Sequence, residues 1–187
     1  MSSEKITAII LAGGASRRMG NLDKAWCSYQ GKPLIQHVID TIEPQVNHVI
    51  ISCGESSERF QSLPYRYCID TEAGFQGPLK GITSCADSVN TDYVFVVPCD
   101  MPLLPSDIVQ HLKETLGDNL IALPNDGIRD QHLVFLCKAQ AIDSIRDYLE
   151  SGAKSVVGWI TRLTPVIADF SANAEAFLNV NTSAQLR

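Results

Sequence analysis

Ile6-Thr7-Ala8-Ile9-Ile10-Leu11 runs straight into Ala12-Gly13-Gly14-Ala15-Ser16-Arg17-Arg18-Met19-Gly20, and Lys24 follows shortly after. The first six residues form an apolar run of the kind found in a strand buried on both faces. Glycines let backbone N–H groups approach a ligand, because no Cβ stands in the way. Successive N–H groups in such a turn make an anion-binding concavity. Arg17, Arg18 and Lys24 add full positive charge beside it. The stretch predicts a buried strand that opens into a phosphate site. It is not a P-loop, since Gly20 is followed by Asn21-Leu22, and it lacks the G-x-G-x-x-G spacing of a dinucleotide loop. Paired glycines also end strands without binding anything; the coincidence with three cations is what points to a phosphate.

Outward from that strand, strand-like and helix-like segments alternate. Apolar residues at 34, 35, 38, 39 and 42 have a helical period, and Pro33 stands where a missing N–H costs little. Strands are expected over 48–53, 65–69, 93–97, 120–123 and 133–137, and helices over 78–88, 105–116 and 139–149. Alternation of this kind predicts an α/β sheet with helices on both faces. Ligands of such sheets bind beyond the carboxyl ends of the strands. Gly13-Gly14, Asp70 and Asp100 each follow a predicted strand, as that rule requires. The loops at 74–78 and 124–131 are the main irregular regions.

With 187 residues the chain suits one domain with a substantial core. A net charge of −6 and a pI near 5.1 argue against a general nucleic-acid binder, so the glycine-loop cations stand out as a local basic site. Met1-Ser2-Ser3-Glu4-Lys5 leads directly into the first strand without a signal-peptide core, and no apolar run reaches transmembrane length. A soluble, cytoplasmic protein with no membrane partner is expected. The six cysteines, at 27, 53, 68, 85, 99 and 137, form no C-x-x-C pair and read as reduced, mostly buried thiols. The histidines are isolated and stand at no zinc-motif spacing.

The second motif is Val96-Val97-Pro98-Cys99-Asp100-Met101-Pro102-Leu103-Leu104-Pro105. Pro98 and Pro102 restrict the backbone on either side of Asp100. A carboxylate facing a phosphate site needs a cation between them, and Mg²⁺ suits that arrangement. Asp100 lies too far upstream of Pro105 to cap the helix expected there. Asp70, after Tyr67-Cys68-Ile69, reads either as a turn former or as a site residue. Gly77-Pro78-Leu79-Lys80-Gly81 reads on its own as a Pro-initiated helix.

Together, Leu11-Ala12-Gly13-Gly14, Arg18-Met19-Gly20, Asp23-Lys24 and Gly31-Lys32-Pro33-Leu34 resemble the molybdenum cofactor guanylyltransferases, within the sugar-phosphate-type nucleotidyltransferases. That first set is shared across the larger group. The narrower resemblance rests on Phe177-Leu178-Asn179-Val180-Asn181-Thr182, similar to the family's F-x-N-x-N-T. Asp126-Gly127, Arg129-Asp130-Gln131-His132, Ser151-Gly152 with a helical segment after it, and Asp169-Phe170-Ser171 also fit. On the residues alone, Asn181-Thr182 also suits the N-cap of a last short helix.

The resemblance, from about Ile6 to Leu186, implies a Rossmann-like three-layer fold with a mostly parallel sheet. It implies one nucleotidyltransferase domain, with a nucleotide half over about 1–100 and an acceptor half over about 101–187. It implies transfer of GMP from GTP to molybdenum-loaded molybdopterin, with Mg²⁺ and with transient contacts to molybdopterin-loading and acceptor molybdoenzyme proteins. Arg18, Lys24 and Asp100 would be catalytic, with Asp100 the metal ligand. Leu11, Ala12, Gly13, Gly14, Lys24, Ser52, Asp70, Gly77, Pro78, Leu79, Asp100, Asn179 and Asn181 would bind the substrates. The Asp70, Ser52 and Gly77–Leu79 group would lie by the guanosine. Asn179, Asn181 and the loop at 129–131 would face the pterin. Two departures stand out: Ser52 replaces an Asn usual in relatives, and Ser183-Ala184 replaces a Pro-acidic pair. A CTP- or sugar-phosphate-directed transferase, or a nucleotide-binding module without turnover, are the other readings.

Overall fold

The computed structural model describes residues 4–13, 24–54, 58–69 and 77–180. Its central strand is β1, Ile6–Leu11, all of it buried. Side chains alternate across a strand: Ala8 and Ile10 pack into one core cluster, Ile9 and Leu11 into another. A hairpin of β2 (Ser28–Tyr29) and β3 (Lys32–Pro33) leads into α1 (Leu34–Ile42). Next come β4 (His48–Ser52), β5 (Arg66–Cys68), α2 (Pro78–Ala86) and β6 (Tyr93–Pro98). The chain continues through α3 (Ile108–Leu116), β7 (Ile121–Asn125), β8 (Phe135–Lys138), α4 (Ala139–Glu150), α5 (Val156–Arg162) and β9 (Val166–Asp169). A 3-10 segment, Ser171–Phe177, follows.

One seven-stranded sheet has the order β5-β4-β1-β6-β8-β7-β9. β5, β4, β1 and β6 are mutually parallel; β8 runs antiparallel to both of its neighbours; β9 is parallel to β7. Because only β8 reverses, the carboxyl ends of all the others share one edge of the sheet. α1 and α3 cover one face, through Ile35, Val38, Ile39 and Ile42 and through Ile108, Val109, Leu112 and Leu116. α2, α4 and α5 cover the other, through Leu79, Ile82, Ile142, Ile145 and Trp159 among others. The architecture is the expected three-layer α/β fold with a mostly parallel sheet.

The differences from expectation have physical causes. α3 begins at Ile108 rather than at residue 105, because the proline-bounded stretch before it is built of turns; its first helical bond runs from the N–H of His111 to Asp107 O at 2.9 Å. α2 ends at Ala86, where Ser88 and Val89 N–H groups make tighter bonds to Cys85 and Ala86 carbonyls. β7 extends through Pro124 to Asn125, since β9 pairs with it there. The β2–β3 hairpin and β9 were not expected: each hairpin strand has two residues, and in β9 only Ala168 is buried, so neither carries a hydrophobic period. All six cysteines are thiols, five of them buried and Cys68 partly exposed. Among the described residues no helix is long and apolar enough to cross a membrane.

Candidate active site

The parallel strand ends converge on one residue. β1 and β6 remain paired one step past their ends, with the N–H of Cys99 donating to Leu11 O at 3.0 Å. Pro98 is tolerated inside the sheet because β8 pairs with β6 only from Tyr93 to Val96. Buried Cys99 and Met101 anchor the backbone on each side of Asp100, whose side chain is thereby presented at the sheet edge. Lys24, on a single 3-10 turn Lys24–Trp26, forms an ion pair with Asp100 Oδ2. The side chains are 25% and 13% exposed, so the pair is partly shielded from water.

A third segment closes the group. The Val180 N–H donates to Asp100 O at 3.0 Å. Val180 packs in a small cluster with Cys27 and Leu34, and the Leu34 N–H donates to Cys27 O at 2.9 Å. The turn carrying Lys24 and the segment carrying Asn179 are therefore tied together around Asp100. Asp100 Oδ1 and Asn179 Oδ1 are both buried and accept no hydrogen bond. Buried polar atoms are rarely left so. Bare, hard oxygen donors beside a carboxylate suit Mg²⁺, which is commonly held by one or two carboxylates plus substrate phosphates. Among the described residues no cluster of three or more His, Cys, Asp or Glu could hold a metal alone. The donor set thus fits a cation shared with a substrate.

The glycine loop is described only up to Gly13. Ala12 and Gly13 N–H groups both donate to Ser52 O, at 2.8 and 2.9 Å. The Gly13 N–H is thus engaged by the chain leaving β4. Gly13 is required for steric room: a Cβ there would lie 2.7 Å from Gly54 N and 2.9 Å from Gly54 Cα. The chains leaving β1 and β4 cross too closely for a side chain. Gly54, at φ +62°, completes the crossing. Ser52 is 2% exposed, and its Oγ would be 2.6 Å from a Cβ on Gly81 of α2. Its hydroxyl therefore faces the helix. Gly77 caps α2 at φ 89°, a conformation suited to glycine, and Pro78 takes the first helical position. Gly14, Arg17, Arg18, Asp70 and Asn181 lie outside the described residues.

On the acceptor side, the loop after β7 is internally satisfied. The Asp126 carboxylate accepts from the N–H groups of Ile128 and Arg129, both at 2.8 Å, and from Gln131 Nε2 at 2.6 Å. Burial works to raise that carboxyl, but these N–H bonds and the Arg129 charge hold it below the usual range. The Gln131 side chain is thus spent on the loop, while Arg129 is exposed. Sequence reasoning missed the Gly13–Gly54 crossing and the Ser52–Gly81 contact. The sequence signal was a glycine following each of two neighbouring strands.

A parallel-strand edge that carries a lysine–carboxylate pair beside the stem of a glycine loop fits a site for a nucleotide's phosphates, and the sequence match that follows makes the chain a nucleotidyltransferase. Residues 8–165 match the MobA-like NTP transferase domain. The chain is 38% identical over 185 residues to the molybdenum cofactor guanylyltransferase of Shewanella sediminis, covering 98% of this chain and 94% of that one. It belongs to the molybdenum cofactor guanylyltransferase family. Its fold is similar to molybdopterin-guanine dinucleotide biosynthesis protein A from Archaeoglobus fulgidus, with a TM-score of 0.77 at 21% identity over 96% of this chain and 94% of that one. It is also similar to 4-diphosphocytidyl-2C-methyl-D-erythritol synthase from Anaerococcus prevotii, with a TM-score of 0.74 at 9% identity over 98% and 95% of the two chains. The fold alone therefore does not choose the nucleotide.

Proposed function

We propose that the chain transfers the GMP unit of GTP to the terminal phosphate of molybdenum-loaded molybdopterin, releasing pyrophosphate. The substrates are supported by 38% identity to guanylyltransferases over nearly the whole chain. The chemistry follows from one observation: Asp100 meets Lys24 on one oxygen and offers the other unpartnered.

The acceptor phosphate is already an anion at neutral pH, so no strong base is needed. The barrier is the approach of two anions, which positioning and electrostatics lower. Asp100, with Asn179 beside it, would hold Mg²⁺. Bound there, the ion would neutralise charge on the reacting phosphates. The Lys24 ammonium has three donors and can serve Asp100 and a triphosphate oxygen together. Arg18 and the Gly14 N–H would hold the rest of the triphosphate over the floor made by Leu11, Ala12 and Gly13. Asp70 and Gly77–Leu79 would flank the guanosine, with Ser52 setting the distance between the loop and α2. Asn179 and Asn181 would line the acceptor side. Transient contacts with the proteins that deliver molybdopterin and take the product would complete the cycle. A cytoplasmic location suits a GTP-consuming enzyme.

The decisive experiment incubates the protein with Mg²⁺, molybdenum-loaded molybdopterin and each nucleoside triphosphate separately, and weighs the product. A guanine dinucleotide with pyrophosphate release is expected. A cytidine product would overturn the GTP reading, and no pyrophosphate with any nucleotide would leave only a binding module.

A further inference from the structure

The turn that supplies Lys24 is pinned at several points. Lys24, Ala25 and Trp26 form it, and Ala25 is fully buried. The Trp26 ring packs against Phe60, with centroids 5.5 Å apart. The Cys27 N–H donates to Lys24 O at 3.1 Å and the Leu34 N–H to Cys27 O at 2.9 Å, which fastens the turn to the start of α1. Asp100 is fixed from its own side, by the Cys99 N–H on Leu11 O and by the Val180 N–H on its carbonyl, each at 3.0 Å. Both backbones are therefore set so that the ammonium meets Asp100 Oδ2. The other carboxylate oxygen, Oδ1, and Asn179 Oδ1 are buried and accept no hydrogen bond.

We propose that Lys24 keeps Asp100 from taking up a divalent cation on its own, so that the chain accepts its metal as the metal–nucleoside triphosphate complex. This rests on the reading of Asp100 as the metal's ligand and of the glycine loop as a triphosphate site. The ammonium cancels the one formal charge that Asp100 brings. Asn179 adds an oxygen but no charge. Among the described residues no cluster of three or more His, Cys, Asp or Glu makes up the difference. Mg²⁺ gives up its water reluctantly, and a neutralised carboxylate with one amide oxygen repays little of that loss. The pair is partly shielded from water, so repulsion between the ammonium and an arriving cation is screened less than at an open surface. A triphosphate reverses the balance. It brings several negative charges, it shares the lysine's donors, and the ion enters already held by phosphate oxygens. By linkage, the nucleotide raises affinity for the cation by the same factor as the cation raises affinity for the nucleotide.

The test titrates the full chain with Mn²⁺ in the absence of nucleotide and follows the free ion by electron paramagnetic resonance. Lys24→Gln removes the charge and leaves an amide that can still donate to Oδ2. It should bind Mn²⁺ roughly tenfold or more tightly than wild type, while Lys24→Arg should resemble wild type. An acidic chain also collects cations weakly over its surface, and the double variant Lys24→Gln with Asp100→Asn measures that background. Equal affinity in wild type and Lys24→Gln would overturn the proposal. A gain that survives Asp100→Asn would overturn it as well, and would take the metal reading of Asp100 with it.

Melting of the wild type gives a check that needs no variant. Mg²⁺ alone should leave the melting temperature unchanged, and GTP with Mg²⁺ should raise it more than GTP with a chelator. A shift with Mg²⁺ alone that Asp100→Asn removes would overturn the exclusion and leave Asp100 as the metal's ligand. If GTP gives no shift with or without Mg²⁺, the triphosphate reading falls, while the Mn²⁺ titration still decides what Lys24 does to the cation.

Discussion

Asp100 carries one carboxylate oxygen bound to Lys24 and one that accepts nothing from the chain. Removing its charge should therefore be felt in turnover more than in folding. Asp100→Asn is expected to lower transfer by roughly a hundredfold or more, with circular dichroism and melting little changed; near-normal turnover with the same Mg²⁺ dependence would remove the metal assignment. Lys24→Ala should act on binding. Loss of a charge-assisted bond in a phosphate site costs roughly 1.5–3 kcal/mol, about ten- to a hundredfold in affinity. Calorimetry with GTP checks this, and undiminished affinity would move Lys24 out of the triphosphate site. Both residues were legible in the sequence, because a strand end followed by a fixed polar residue reads locally. Their pairing was not, since it joins positions 76 residues apart. Nor could adjacent glycines announce that Gly13 sits where the chain passes too close to Gly54 for a Cβ, with its N–H donating to Ser52 O.

At the scale of elements, α2 meets the sheet through a contact with no room in it. Gly81 allows the helix to lie on Ser52, whose Oγ would be 2.6 Å from an added Cβ. Gly81→Ala should cost about 1–3 kcal/mol by overpacking. In a Ser52→Ala background the obstruction is gone, and the same change should be neutral or stabilising, because alanine is favoured over glycine in a helix by about 1 kcal/mol. A denaturation double-mutant cycle measures the coupling; additive costs would mean that the contact is not what limits the position. Helices were legible here because one face repeats, as in α1, where Leu34, Ile35, Val38, Ile39 and Ile42 are all buried. The direction of β8 was not legible, since Phe135, Leu136 and Cys137 are all buried and such a run reads the same either way.

The whole molecule combines an acidic surface with carboxylates that matter individually to its stability. Asp126, 7% exposed, is held below its usual range by the bonds of its own loop, against the effect of burial. A carboxylate with a lowered folded-state value adds stability that is complete above the unfolded value. That stability is lost as pH falls through the folded one. The melting temperature should therefore fall as pH drops below about 4. Asp126→Asn, which Gln131 can accommodate by flipping its amide, should flatten that acid limb. An unchanged limb would show that the loop does not contribute to it. Ligand binding acts on the same scale: GTP with Mg²⁺ should raise the melting temperature more than ATP, CTP or UTP by mass action. A larger shift with CTP would favour a cytidylyltransferase.

Asp100, at the end of β6, is reached at its carboxylate by Lys24 from 76 residues upstream and at its backbone carbonyl by the N–H of Val180 from far downstream. On the ribosome this sets an order of assembly. Domains condense as the chain emerges, and contacts between distant positions close last. β1, β4, β5 and β6 can pair while the rest is still being made. The segment that seals Asp100 cannot arrive until Val180 has left the exit tunnel. A nascent chain interrupted before that point would own a sheet and a lysine–carboxylate pair but not the finished edge. Incomplete translation products would then lack the acceptor side of the site.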